Sequence, residues 1–321
     1  MPILVTPEYV EPVFRGLVGV IDVDDGPTAE QISVLKAIST HLWGRDDLDV
    51  TKASPLDPEA LAQALLDPAM RRRFSELMFT LEMCRHPLTD TQVTRAEQYS
   101  AALGSSPEQV SIFRTQIDEG VARAKADFDR YFDAMVLDRT EPAYRTKDVS
   151  LTTPDPELIA RVEAMHDLPA DTLGYALAQF HVRYGFSTPG TDVSPNTYLY
   201  LAHDMIHVIS GIAPSGPGEI ALGGFQMAMN DNSVNTFSFL SPMVIHEAGI
   251  STIDDIVSTE HTLARPGAAD LLGSSLARGA QCTGDFAFID HLAVAHLPLE
   301  EVRAKYGVVP PDNPDDGNHY W

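Results

Sequence analysis

The sequence is poor in cysteine. Its 321 residues include two, Cys84 and Cys282, which are far apart and belong to no CxxC arrangement. Two such thiols provide neither a disulfide framework nor a thiolate zinc site. Any bound metal is therefore expected to use nitrogen and oxygen ligands.

Basic residues are also scarce, since 22 Lys and Arg stand against 46 Asp and Glu, for a formal net charge of -24. A charge of this sign repels phosphate backbones and anionic lipid surfaces. We therefore expect no nucleic-acid partner, and membrane contact that is peripheral at most.

Long hydrophobic runs are absent as well. No stretch of the sequence approaches the roughly 20 apolar residues that span a bilayer, and its first residues lack the basic start and apolar stretch of a signal peptide. We expect a cytoplasmic protein, with attachment to the periphery of the inner membrane as the alternative.

Apolar residues recur at three- and four-residue spacing, without sustained alternation, which predicts an all-α protein. The length predicts two domains. A segment rich in Thr, Pro and charge, residues 138–156, separates the predicted helical domains, 1–145 and 146–321. We also expect a long helix from Ser106 to about Leu137, and a loose or strap-like tail from Pro310.

Two helix starts resemble each other. Thr28 is followed three residues later by Gln31, and Thr89 by Gln92, which is the spacing of a capping box. A third start is predicted at Asp155, where the sequence continues Pro-Glu. Two similar starts are weak evidence for an internal repeat.

Asp22, Asp24 and Asp25 precede the first of these helices. With the paired helices, this Asp-Gly loop resembles the TerB-like helical domain of tellurite-resistance proteins over residues 14–103. The carboxylates could bind calcium or magnesium, but the loop lacks the further ligands of an EF-hand. A loop that caps a helix is the favoured interpretation, because aspartates stabilise helix N-termini.

The informative stretch is His203-Asp204-Met205-Ile206-His207. Residues four apart share one face of a helix, so the two imidazoles are expected side by side, with Asp204 three residues from His207. Gly211 and Pro214 end this helix, and Glu219 falls in the first turn of the next, where a short connection could bring it back alongside the histidines.

Two imidazoles with one or two carboxylates suit zinc, iron or manganese. Such a site can leave a coordination position open for water or substrate, as a catalytic Lewis acid requires. Taken singly, each residue also has a structural interpretation, namely Glu219 as an acid at a helix N-terminus and His203 or His207 as core or surface histidines.

The motif and its surroundings resemble the family of the fourth Coq protein of ubiquinone biosynthesis, called here the Coq-four family. The shared metal motif is H-D-x-x-H, eleven residues, then Glu. Coverage runs from about residue 168 to 310. Further matching positions are Leu168-Pro169, Thr172, Gly174, Phe180, Val208, Gly211, Gly218-Glu219-Ile220-Ala221-Leu222, Leu297-Pro298-Leu299-Glu300-Glu301-Val302-Arg303 and Tyr306-Gly307-Val308.

The sequence departs from the family at two places. Met205 and Ile206 stand where the family has aromatic residues, and Gly224-Phe225-Gln226 stands where it has W-F-E. We expect these positions to line the substrate side, so they bear on the identity of the substrate more than on the metal.

The resemblance implies a metal-dependent decarboxylase or oxidative decarboxylase of a polyprenylated hydroxybenzoate-type ring. It implies that His203, Asp204, His207 and Glu219 are the metal ligands and catalytic residues, with zinc as the expected metal and iron or manganese as alternatives. Asp204 would deliver a proton to C1 if three protein groups bind the metal. Other quinone-biosynthesis proteins are expected partners, and we expect a homo-oligomer.

Two alternative functions remain open at this stage. The domain could be a non-catalytic scaffold that binds isoprenoid lipid, or the TerB-like half could make the chain a metal- or stress-responsive interaction protein.

Residues that could line a groove for an isoprenoid tail could equally be ordinary core. They are Phe225, Met227, Met229, Phe237, Phe239, Leu240 and Met243. Side chains that could support the ligand histidines are His246, Glu247, His261, Asp285, Asp290 and His291.

Overall fold

The computed structural model describes residues 5–104, 114–116, 118–119, 121–145, 153–194, 196–250, 256–314 and 316–320. Over these residues the protein is helical and contains no strand, only three isolated antiparallel bridges. The predicted all-α class is confirmed. No helix in this part of the chain is long and apolar enough to cross a membrane.

The chain forms two compact units, each assembled from separate segments. The N-terminal unit comprises the chain up to Tyr131 together with Gly216–Ala280, and the C-terminal unit comprises Phe132–Ser215 together with the chain from Gln281 onward. The sequence analysis placed two consecutive domains on either side of residue 146, and that boundary stays a prediction, as does the TerB-like character of the first domain.

The N-terminal unit holds the first five helices and three later ones. They are α1 (Pro7–Ile21), α2 (Ala29–Ala37), α3 (Pro58–Ala64), α4 (Pro68–Met83), α5 (Asp90–Leu103), and then α10 (Gly216–Met229), α11 (Ser233–Pro242) and α12 (Ala268–Ala280). Single π-helical turns, Ile38–Leu42 and Met243–Glu247, extend α2 and α11.

The C-terminal unit holds the remaining helices. Helix α6 (Val121–Arg139) begins in the N-terminal unit and continues into the C-terminal unit. The C-terminal unit also contains α7 (Pro156–Glu163), α8 (Leu173–Tyr184), α9 (Thr197–Ser210), α13 (His291–Val294) and α14 (Leu299–Tyr306). The predicted helix start at Ser106 and most of the predicted linker lie outside the described residues, since the structure omits 105–113 and 146–152.

The predicted caps are confirmed. Thr28 and Gln31 form a reciprocal capping box at the start of α2, and the Thr89 hydroxyl accepts a hydrogen bond from the Gln92 amide at 3.2 Å. Asp155 caps α7 through the amides of its first turn. The two glutamines are fully buried and hydrogen-bond to each other at 3.1 Å, so the similar helix starts meet in the core.

The Asp-rich loop after α1 is held by protein groups. The Asp24 carboxylate accepts hydrogen bonds from the Thr89 hydroxyl at 2.9 Å and from Arg85 at 3.5 Å. These contacts connect the loop to the start of α5. They favour the interpretation of this loop as a structural connection over a calcium or magnesium site.

Glycines allow helices of the N-terminal unit to pack closely. A Cβ atom on Gly279 of α12 would lie 2.1 Å from the Phe225 carbonyl oxygen of α10, and one on Gly223 of α10 would lie 2.6 Å from the Ser238 carbonyl oxygen of α11. Both helices therefore approach α10 backbone to backbone, which no larger residue permits at these positions.

One buried carboxyl in this unit is not stabilised by a partner. Glu82 of α4 is completely buried, and neither of its carboxyl oxygens has a hydrogen-bond partner among the described residues. Burial, reinforced by the charge of Glu97, raises the pKa of Glu82 well above its usual value. The folded protein therefore holds this carboxyl protonated at a pH where the unfolded chain ionises it.

We predict that Glu82→Met raises the free energy of unfolding by roughly 1–3 kcal/mol at pH 7, because it removes an unsatisfied buried polar group. Burial raises the pKa of Glu82 in the folded protein above its unfolded value of about 4.3. The wild-type carboxyl therefore destabilises the fold least below about pH 4.3, and destabilises it more as the pH rises above that value. Urea unfolding at pH 7 and pH 4 should show the gain shrinking at the lower pH.

The matched control is Glu59→Met on the exposed face of α3, which should change stability by no more than about 0.5 kcal/mol. A loss of stability in the Glu82 variant at pH 7 would contradict the prediction and would mean that the carboxyl is used in the folded state.

Candidate metal centre

The histidine motif lies on α9, as predicted. The imidazoles of His203 and His207 are one helical turn apart and face each other with ring centroids 4.6 Å apart, in an edge-to-face arrangement. His207 is fully buried, whereas the side chain of His203 is 22% exposed. One imidazole is therefore fixed inside the unit, and the other borders the solvent.

His207 is held in one tautomer by the backbone. Its Nδ1 lies 2.9 Å from the Ile212 carbonyl oxygen, and since a carbonyl oxygen can only accept, Nδ1 carries the proton. In the neutral ring Nε2 then carries the lone pair. Histidines that bind metals are commonly oriented in this way, with the second nitrogen donating to a carbonyl group.

Asp204 is held by a histidine from another helix. His181 of α8 places Nε2 2.9 Å from Asp204 Oδ2, and Nδ1 of His203 lies 3.8 Å from Asp204 Oδ1. Burial by itself raises the pKa of Asp204, but hydrogen bonds and charge from His181 and His203 outweigh burial and lower it. Asp204 is therefore a carboxylate at neutral pH, suited to accept hydrogen bonds or bind a cation and poorly suited to donate a proton.

The end of α9 is closed by the C-terminal strap, residues 308–314 and 316–320, in the part of the chain where a loose or strap-like tail was expected from Pro310. Gly211 adopts φ +72, its carbonyl oxygen accepts from the Tyr320 amide at 3.1 Å, and the Ala213 amide donates to Asn318 at 2.9 Å. This turn places the Ile212 carbonyl against His207. The geometry of the histidine thus depends on a left-handed glycine and on the last residues of the chain.

Arg303 of α14 supports the same helix end. Its guanidinium donates to the carbonyl oxygens of Ile209 at 2.9 Å and Val208 at 3.2 Å, while Glu300 binds the guanidinium at 2.7 Å. Carbonyl groups in the last turn of a helix have no partner within the helix. Arg303 satisfies two of them and brings positive charge to the negative end of the α9 dipole.

Glu219 falls in the first turn of α10, as predicted. It belongs to the N-terminal unit, whereas His203, Asp204 and His207 belong to the C-terminal unit. Its membership in the ligand set stays a prediction.

The side chains considered as support for the histidines have other partners. His291 is buried between the Glu141 carboxylate at 2.8 Å and the Phe286 carbonyl at 3.0 Å. Asp290 accepts from the Ala293 amide as the cap of α13, and Asp285 accepts from the Ala287 amide. The supporting residue that sequence reasoning missed is His181, which lies 23 positions before Asp204 and so gave no local signal.

The apolar residues considered for an isoprenoid groove all belong to the N-terminal unit and are at most 4% exposed. Their burial is what the core interpretation predicts. The set is Phe225, Met227, Met229, Phe237, Phe239, Leu240 and Met243.

The donors in the C-terminal unit fit a divalent transition metal. His207 has a fixed tautomer, His203 stands beside it, and the ionised Asp204 carboxylate lies 3.8 Å from Nδ1 of His203. Nitrogen and oxygen ligands of this kind suit zinc, iron or manganese. Both cysteines of the chain are buried free thiols.

No protein-family model matches the sequence, and no curated protein matches it either. A crystal structure of a provisionally assigned ubiquinone biosynthesis protein from Nostoc punctiforme matches with 16% identity and a TM-score of 0.33, over 74% of this chain and 97% of that chain.

We predict that Gly211→Ala destabilises the protein by roughly 2–4 kcal/mol. An added Cβ is unfavourable in the left-handed backbone conformation, and it also collides with neighbouring atoms. That Cβ would lie 3.0 Å from Pro311 and 3.1 Å from the Tyr320 carbonyl oxygen. Chemical unfolding at pH 7 measures the loss.

Gly185 supplies a matched control. It ends α8 with φ +69, and nothing lies within 4 Å of its added Cβ. Gly185→Ala should therefore cost only about 1 kcal/mol. Equal losses in the two variants would show that the strap does not press on the end of α9.

Proposed function

We propose that the chain is a divalent-metal-dependent decarboxylase that acts on a polyprenylated hydroxybenzoate-type ring in ubiquinone biosynthesis or a related aromatic pathway. The observation that carries the proposal is the pair of facing imidazoles on α9, with His207 held in a single tautomer by the Ile212 carbonyl. The resemblance of residues 168–310 to the Coq-four family supplies the class of reaction and substrate.

In this proposal His203 and His207 hold the metal, with Asp204 and Glu219 as the carboxylate ligands implied by the resemblance. The metal, for which zinc is the expected ion, would act as a Lewis acid on a substrate oxygen. A cation at this position would be balanced by carboxylate charge.

The chain's own residues have separate tasks. The hydrogen bond from His207 to Ile212 keeps the ring from rotating, and Asp204 orients His181 and His203 through its two oxygens. When the carboxyl group leaves the ring as carbon dioxide, C1 must receive a proton. The imidazole of His181, whose Nε2 lies 2.9 Å from Asp204 Oδ2, is better suited to deliver that proton than the ionised Asp204 itself.

We predict that the purified protein binds about one equivalent of metal through the histidine motif, and that the double variant His203→Ala/His207→Ala loses it. Removing both imidazoles leaves too few donors for a transition metal. Mass spectrometry after reconstitution with zinc, iron or manganese measures the content, and Glu219→Gln tests the fourth ligand in the same experiment.

The control is His166→Ala/His296→Ala, which removes two exposed histidines of the same unit. It should bind metal like the wild type. Equal metal content in the wild type and in the His203/His207 variant would refute the metal centre.

We further predict release of carbon dioxide from a carboxyl-labelled prenylated hydroxybenzoate by the metal-loaded protein. Because a Lewis acid contributes several kcal/mol, the His203→Ala/His207→Ala variant should lose roughly a thousandfold in rate. The assay is run with and without dioxygen, because an oxidative reaction needs that oxidant. Metal binding without turnover under either condition would instead favour the non-catalytic lipid-binding scaffold.

A further inference from the structure

A second group of metal-ligating side chains lies within the N-terminal unit. Glu30 of α2, His86 of the α4–α5 connection and His261 each offer a ligand atom, and these atoms lie within 4.8 Å of one another. We propose that Glu30, His86 and His261 form a second divalent-metal site, with Glu247 as the residue that positions His86. This site shares no residue with the histidine motif and does not depend on the proposed function.

The separations suit a site that closes around a cation. Zinc bonds to nitrogen and oxygen are about 2.0–2.1 Å long, so the ligand atoms of a tetrahedral site lie about 3.3 Å apart. In the structure Nδ1 of His261 already lies 3.5 Å from Oε2 of Glu30. Since no separation exceeds 4.8 Å, the ligand atoms have to approach by roughly 1.5 Å at most, which a side-chain rotation can supply.

Glu247 positions His86 in the manner of a carboxylate that supports a metal ligand. Its Oε1 lies 2.9 Å from Nε2 of His86, and its Oε2 accepts from the Leu263 amide at 2.8 Å. Glu247 is fully buried, so the carboxylate has little freedom to move. The tautomer of His86 that donates through Nε2 keeps its lone pair on Nδ1, as a ligand must.

The buried carboxylate of Glu30 is the feature that points to a bound cation. Its side chain is only 8% exposed, yet Oε1 is buried and makes no hydrogen bond within the part of the chain that the structure describes. A buried acceptor of this kind is costly unless a proton or a cation satisfies it.

His261 opens the site to solvent. Its side chain is 53% exposed, so an ion could reach the cluster and keep a water ligand. Its backbone has φ 56, an uncommon conformation that tends to occur at functional sites. The His86 and His261 rings lie 3.9 Å apart, so the two imidazoles stand side by side at the site.

The segment that carries His261 is tied to Glu247 by the backbone. The His261 amide donates to the Glu247 carbonyl oxygen at 3.3 Å, and the Thr259 amide donates to the Ile245 carbonyl oxygen at 3.1 Å. The backbone thus joins the ligand directly to the positioning residue. A cation bound here would link this segment to the start of α2 and to the α4–α5 connection.

Zinc titration of the metal-free His203→Ala/His207→Ala protein tests the site, because that background removes the other centre. We expect the background to bind about one zinc, and cobalt in its place to give the visible spectrum of a nitrogen-ligated ion. Adding His261→Ala or Glu30→Gln should weaken zinc binding by roughly a hundredfold or more, since loss of an outer partner alone costs about 10- to 100-fold.

His261→Ala is the decisive variant, because a side chain more than half exposed can be truncated without loss of the fold, which circular dichroism verifies. The control His41→Ala removes another partly exposed histidine of the same unit and should leave the affinity unchanged. Absence of zinc binding in the background, or unchanged affinity after His261→Ala and Glu30→Gln, overturns the proposal. If the background binds one zinc but the wild type binds no second metal at the histidine motif, the proposed function fails and this second site stands.

Discussion

The hydrogen bond between Nδ1 of His207 and the Ile212 carbonyl oxygen connects the sequence motif to the architecture of the C-terminal unit. The carbonyl can face the ring only because the chain reverses at Gly211 in a left-handed conformation. The last residues of the chain then hold this turn in place. A fully buried imidazole needs a fixed partner, and here the partner is supplied by the same helix end that carries the motif.

Local chemistry explains what the sequence could predict. Capping residues act within three positions of their targets, so the starts of α2, α5 and α7 could be placed from Thr28, Thr89 and Asp155. Glycine at the end of α9 was equally predictable, because its role depends on backbone conformation alone. The helical class followed from periodicity over many residues, where single errors average out.

Long-range pairs could not be predicted in the same way. His181 contacts Asp204 from a different helix, and Glu30 contacts His261 although the two residues are far apart in the sequence. Neither pair has a spacing that a helix or a turn would fix. The division of the chain into units built from separated segments has the same origin, because it depends on which helices pack together and not on composition at a boundary.

The shortage of basic residues shapes how buried carboxylates are stabilised. With 22 Lys and Arg for 46 acids, histidines take positions that arginine often fills. Glu141 is paired with His291, and Glu247 with His86. An imidazole can stabilise a carboxylate by donating one hydrogen and still offer its second nitrogen to another group. His86 can act in both ways, whereas both nitrogens of His291 are already engaged, by Glu141 and by the Phe286 carbonyl oxygen.

The two proposed centres differ in the protection of their imidazoles. His207 is fully buried and fixed, which suits chemistry that must exclude water, whereas His261 is more than half exposed and can exchange its ligand with the solvent. A protein of net charge -24 attracts cations to its surface in general. Only where imidazoles stand beside carboxylates of restricted motion does that attraction become a specific site, because fixed donors bind an ion without first being ordered by it.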